Sequence, residues 1–235
     1  MANLLFKTGS TVLRLSSWIT SIPKLSYRLL RHMSYFIPLI SYQLPCRPKS
    51  LLLAIGETMM YLLEILGITT MYDAISEWIK PTTRPLSDAE ISLSKTYFKD
   101  TINYDIVRIH PSAHIIANKS ILAYVSFNTI NHWRPIPRDV FIHEMMHIWQ
   151  YQNLGAVYAI KALHAQSKGN AYDYDGFEGL YYAMLQGRDL LSYNFEQQAE
   201  IIQDYYKLHE LNALNPLARS VYSHFTNQIL NISNI

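Results

Sequence analysis

A single cysteine, Cys46, occurs in the 235 residues, so no disulfide can close within the chain and a thiolate metal site is excluded. Glycine is scarce: the 8 present are about half the usual share, and neither a Gly-rich phosphate loop nor a dinucleotide fingerprint occurs. Internal repeats and basic nucleic-acid motifs are also missing, which argues against nucleic acid as a partner. Charged residues make up only 16% against 49% hydrophobic, a balance that excludes intrinsic disorder. Acid is nearly absent from the first 60 residues, where Lys7, Arg14, Lys24, Arg28, Arg31, Arg47 and Lys49 face Glu57 alone. A clean hydrophobic span is lacking too. Residues 51–72 have the length of one, but Glu57 and Glu64 lie inside it, and two carboxylates argue against insertion. Lys7 and Arg14 interrupt the N-terminal apolar stretch and no Ala-x-Ala site follows, so no clear cleavable signal peptide is expected.

Long stretches carry helical periodicity, and with so little glycine the expected fold class is α+β, mainly α. Residues 1–80 read as a basic, apolar helical extension, whose Ser-rich, acid-poor start suits a transit peptide, an anionic-membrane binder or a docking segment alike. The break Lys80-Pro81-Thr82-Thr83-Arg84-Pro85 ends it, and a second domain, 81–235, follows. Ser87 with Glu90 three residues later forms a capping box that opens a short helix over 87–100. Residues 104–110 and 120–127 read as strands of a small sheet.

His143-Glu144-Met145-Met146-His147 carries the chemistry. Two imidazoles four residues apart share one face of a helix and can hold one metal ion, for which zinc is the natural choice. Glu144 between them can reach the ion's open position and take a proton from water. With 9 His among 235 residues and equally many Glu, chance would supply about 0.01 copies of the pattern. Pro135 and Pro137 clear any earlier helix, Asp139 offers an N-cap or first-turn carboxylate, and Asn153-Leu154-Gly155 is a stop signal, so the helix begins and ends where the motif needs it.

A catalytic zinc takes three protein ligands, and the third must come from elsewhere. Gln150 and Asn153 stand where a metzincin has Gly and His, so a carboxylate must serve. In the helical segment beginning at Phe195, the residues Glu196, Glu200 and Asp204 follow at four-residue steps on one face, a like-charged stripe that a cation would relieve. One register makes Glu196 the ligand and Glu200 the acceptor of a ligand imidazole's other N–H. The rival register makes Glu200 the ligand with Asp204 behind it. Tyr172 and Tyr174, flanking Asp173 in a polar loop near Gly176, are candidate O–H donors to a tetrahedral oxyanion. The remaining histidines, His110, His114, His132, His164, His209 and His224 among them, lack ligand spacing.

The segments Phe141-Ile142-His143-Glu144-Met145-Met146-His147-Ile148-Trp149-Gln150-Tyr151-Gln152 and Tyr193-Asn194-Phe195-Glu196-Gln197-Gln198-Ala199-Glu200 resemble the zincin-like metallopeptidase toxins of bacterial type VI secretion, which occur fused to spike proteins or as spike-related relatives. The resemblance runs over about residues 104–206. It implies a zincin-like domain with a small sheet beside the HExxH helix, Zn2+ on His143, His147 and Glu196, and Glu144 as catalytic base. It also implies peptide-bond hydrolysis, a protein or peptide substrate, a secretion spike and a cognate immunity protein as partners, and action as a secreted effector in a target cell's periplasm. Glu-x-x-Ala-Glu stands here where related gluzincins more often have Glu-x-x-Ala-Asp. A housekeeping peptidase would carry the same motif; an inactive zincin-fold binding protein or membrane-associated protein is the alternative of another class, and retention of Glu144 argues against it.

Overall fold

The computed structural model describes residues 2–41, 48–111 and 122–232. Cys46, His114 and the first two residues of the 120–127 segment lie outside these. Helix α1 (Ala2–Ser41) is followed by α2 (Pro48–Ile65) and α3 (Ile68–Ile79). The segment 51–72 is therefore two helices, not one. They meet at Gly67, whose φ of 73° is left-handed, and a Cβ there would lie 2.8 Å from the Trp18 indole. That indole donates its Nε1–H to the carbonyls of Glu64 and Ile65, satisfying the end of α2. Among the described residues no single helix is long and apolar enough to cross a membrane; Leu51–Ile65 and Ile68–Ile79 reach that length and apolarity only as a pair bent by 66°.

These helices turn polar side chains inward. Arg14 meets Asp73 at 3.1 Å and Glu77 at 3.4 Å, Ser10 donates to Glu77 at 2.7 Å, and Arg108 donates to the other Glu77 oxygen at 2.9 Å. Asp73 also accepts from the backbone N and side-chain amide of Asn128. The expected boundary at residue 80 falls in the turn after α3, and this buried cluster runs across it. Breaking such a cluster by removing one partner leaves an uncompensated charge, at a cost of about 3–5 kcal/mol.

Beyond the turn come β1 (Arg84–Pro85), α4 (Asp88–Phe98), β2 (Arg108–His110), β3 (Ala123–Ser126) and β4 (Thr129–His132). The Ser87–Glu90 capping box is present. The first half of the expected strand 104–110 is instead a 3-10 turn, Tyr104–Ile106, nucleated by the Asn103 side chain, and β4 has no counterpart in the sequence reading. Strand order is β1-β2-β4-β3, with β2 and β4 parallel and the other pairs antiparallel, so β3 is an edge. The β3–β4 turn passes through Phe127 at φ 54°. Tyr158 pins it by accepting from Phe127 N and donating to Val125 O.

The central helix α5 (Arg138–Leu154) opens at Pro137, with Asp139 in its first turn, and closes at Gly155, whose φ is 96°. All eleven residues from Phe141 to Tyr151 are buried. Around it lie α6 (Val157–Gln166), α7 (Gly176–Leu185), α8 (Phe195–Glu210), α9 (Pro216–Thr226) and α10 (Gln228–Ile232). A capping box of Asn194 and Gln197 sets the start of α8, which packs along α5. The described structure is thus mainly helical with one small mixed sheet.

Candidate metal centre

Because α5 is buried on every side, its motif residues sit at the floor of a cleft rather than on an open surface. His143 and His147 lie one turn apart with ring centroids 5.0 Å from each other. Glu196, in the first turn of α8 and 2% exposed, comes to them from the facing helix. Its Oε2 lies 3.5 Å from His143 Nε2 and 3.6 Å from His147 Nε2. Ligands bound tetrahedrally at the usual zinc distances stand about 3.3 Å apart, so the spacing of this donor set would fit a single ion of that size. Among the described residues these three form the one His/Cys/Asp/Glu group whose donor atoms all lie within 4.8 Å of one another.

Side chains around the three fix which atoms face inward. His147 Nδ1 lies 2.8 Å from Gln150 Oε1. The amide of Gln150 donates to Phe195 O and Gln198 Oε1, and Gln198 in turn donates to Tyr193 O. A backbone carbonyl can only accept, so the chain of amides has one polarity. Gln150 must present its oxygen, so His147 carries a proton on Nδ1, and in the neutral imidazole Nε2 is the nitrogen that holds the lone pair. Glu196 is oriented in the same way: Gln166 donates to Oε1 at 3.0 Å, leaving Oε2 for the imidazoles.

Glu200 faces the far nitrogen of His143, its Oε2 3.6 Å from Nδ1. It is not in the donor cluster. Asp204 lies further along α8, accepting from Tyr174 at 2.6 Å and from Lys207 at 3.1 Å. Of the two tyrosines, Tyr172 reaches the cleft, its ring 6.1 Å from that of His143. The loop that carries it is tied to α8 by Gln197 donating to Asp173 O. Tyr174 is not brought to the site. It is buried, and its hydroxyl is occupied by Asp204 and Tyr222.

Electrostatics follow from burial. Desolvation raises the Glu144 carboxyl above its ordinary value, and its Oε2 is buried without a hydrogen-bond partner. Burial disfavours a charged His147, yet Glu196 opposite it more than offsets this and lifts its pKa to about 9. Burial would raise Glu196, but the two imidazoles hold it well below the usual carboxylate range. The cluster is built for positive charge at its centre, and protons compete with any metal for that place. Burial, with the charges of Glu196 and Glu144, pushes Tyr172 up to about 12, so its hydroxyl is a neutral donor.

The cleft holds about 630 Å³. Val125 on edge strand β3, Val140, Ala162 and Leu163 give it apolar walls, and the motif residues give it a polar floor. Gln150, Gln166 and Gln198 were not singled out by the sequence reading. Gln150 is three residues after His147 and hence on its face of the helix, a signal that was available. Nothing local marks Gln166.

A mainly helical α+β chain with a buried His-His-Glu cluster beside a free carboxylate is the class that fold and site define. No family model matches the chain. Among curated proteins, the type VI secretion system spike protein VgrG2b of Pseudomonas aeruginosa is 30% identical over 142 residues, which covers 52% of this chain and 13% of that protein. Among solved structures, the effector domain of Pseudomonas aeruginosa VgrG2b is matched at 25% identity, over 60% of this chain and 79% of that one, with a TM-score of 0.40. The chain therefore spans about an eighth of the length of the curated relative.

Proposed function

We propose that the chain is a zinc-dependent metallopeptidase with a zincin-like catalytic domain, acting as a type VI secretion effector. The observation that carries the enzymatic reading is the convergence of His143 Nε2, His147 Nε2 and Glu196 Oε2 beside the unpartnered Glu144 carboxylate. The effector reading rests on the sequence relationship to VgrG2b, a spike protein. A spike as carrier, an immunity protein and periplasmic action are parts of the same proposal.

His143, His147 and Glu196 would hold the zinc, which supplies a Lewis acid for the scissile carbonyl and for water. Glu144 takes the proton of the attacking water as its oxygen bonds to the carbonyl carbon. It then returns a proton to the nitrogen as the C–N bond breaks, so the carboxylate ends as it began. Its raised pKa suits both roles. Tyr172, neutral and beside His143, is the donor for the developing oxyanion. β3 is an edge strand among the described residues and lies beside the cleft, where an extended peptide can pair with it.

Glu144→Gln tests this reading, since it keeps size and all three ligands while removing the base. Wild-type protein should cleave an unfolded protein substrate, and the variant should retain zinc and lose at least about 100-fold of that activity. Directed to the periplasm of a susceptible bacterium, wild type should arrest growth more than in the cytoplasm, and Glu144→Gln should be harmless in both. Equal toxicity of the two forms would refute the peptidase mechanism.

A further inference from the structure

Helices α1, α2 and α3 are built inside out. Of the twenty-eight large apolar side chains exposed in the described structure, twenty-one lie between Leu4 and Ile79. They recur at helical spacing: Leu5, Val12 and Ile19 on α1, Ile55, Met59 and Leu62 on α2, Ile68, Tyr72 and Ile75 on α3. The opposite faces hold the charges. Glu57 meets His32 and Lys161, Glu64 accepts from Ala156 N and faces Arg28, and Asp73 and Glu77 share Arg14.

Scattered exposed leucines need no explanation, but a three-helix layer with ion pairs within and aliphatics without does. Among the residues of described burial in these helices no acid is exposed, and the one exposed charge is Arg31. A docking surface for another protein carries a polar, solvent-accessible rim around its apolar core. An apolar face whose acids are all paired internally and whose outer charge is cationic instead matches the lipid–water interface of an anionic membrane. The bend of 66° at Gly67 lets α2 and α3 follow a surface rather than cross it. Their inner faces stay tied to the sheet through Arg108 and Asn128.

We propose that the outward face of α1–α3 is a membrane-docking surface that seats the chain on bilayers containing anionic phospholipid. This stands apart from the metal site and does not depend on it. Docking would hold the cleft at the membrane and favour substrates anchored there.

The test is flotation of the full chain with vesicles of phosphatidylcholine alone or with added phosphatidylglycerol. Wild type should float with the anionic vesicles, less with the neutral ones and less at high salt. Leu52→Glu/Ile75→Glu/Ile79→Glu, at positions 72%, 52% and 73% exposed, should lose at least tenfold in binding while keeping its circular dichroism and melting point. As a readout that needs no folded multiple variant, brominated lipid should quench wild-type tryptophan fluorescence, and Trp78→Phe should lose part of that quenching, because Trp78 is exposed on α3. Failure of wild type to float, unchanged binding by the triple variant, or no quenching would overturn the proposal. A wild-type dimer that becomes monomeric in the triple variant, with no flotation, would assign the face to a second copy and overturn it equally.

Discussion

Gln150→Leu is the perturbation whose consequences the structure specifies most fully. Gln150 is 0% exposed and joins His147 Nδ1 at 2.8 Å, Phe195 O at 2.9 Å and Gln198 Oε1 at 3.0 Å. Leucine fills similar volume but leaves the His147 donor and the Gln198 acceptor buried and unpaired, and takes the second donor from Phe195 O, which keeps its bond within α8. At about 1–3 kcal/mol for each unpaired group, and less than additive, the loss is about 2–5 kcal/mol. A melting point should fall by roughly 5–20 °C, taking about 2–4 °C per kcal/mol for a chain of this size. The released His147 can also place its proton on Nε2, so zinc affinity, measured against a competing chelator, should drop about 10–100-fold. Gln150→Glu separates the two effects. It keeps an acceptor for His147 Nδ1–H, so zinc affinity should stay within about threefold of wild type. Its carboxylate faces Phe195 O and Gln198 Oε1 with no proton to give, so stability should still fall. If Gln150→Leu lowers the melting point and leaves zinc affinity unchanged, the amide chain is packing alone and the tautomer argument is refuted.

Further outcomes follow from other parts of the fold. Arg14→Ala should destabilise the protein by about 3–5 kcal/mol in denaturant unfolding, because Asp73 and Glu77 remain buried with too little positive charge; a loss under about 1 kcal/mol would show the cluster to be dispensable. Burial alone would raise Glu90, but bonds from Arg84 and Ser87 outweigh it and bring its pKa from 4.5 to about 2. A depressed folded pKa gives stability that is present above 4.5 and lost as pH falls toward 2. Glu90→Gln keeps the capping box and removes the charge, so wild type should melt higher by the equivalent of about 1 kcal/mol at pH 7, with Arg84 half in solvent, and the gap should narrow below pH 4.5 and close near pH 2. A gap independent of pH would contradict this.

The two helices of the site were legible because each carries its own punctuation. Pro137 and Gly155 bound α5, and the motif spacing fixes one face without tertiary information. The acidic stripe of α8 gave three candidates in two registers. Only the packing of α8 against α5 brings Glu196 to the imidazoles and leaves Glu200 on the outer nitrogen of His143. The orienting glutamines were harder to read, since an amide's role depends on which partners its two ends meet. The sheet was half legible: four-residue strands such as β4 carry too little periodicity, and Asn103 turns Tyr104–Ile106 into a 3-10 turn despite its apolar residues. The basicity of the N-terminal segment was plain. That much of it faces inward, Arg14 on Asp73 and Arg28 on Glu64, requires the three-dimensional arrangement.

Zinc content across four single substitutions tests the central claim most directly. Purified wild-type protein should carry one zinc per chain by elemental analysis; His143→Ala, His147→Ala and Glu196→Ala should each carry almost none, while Glu200→Ala should bind with affinity reduced about 10–100-fold and still fill at saturating metal. Stoichiometric zinc surviving both histidine substitutions, or an empty Glu200→Ala beside a filled Glu196→Ala, would contradict the site described here.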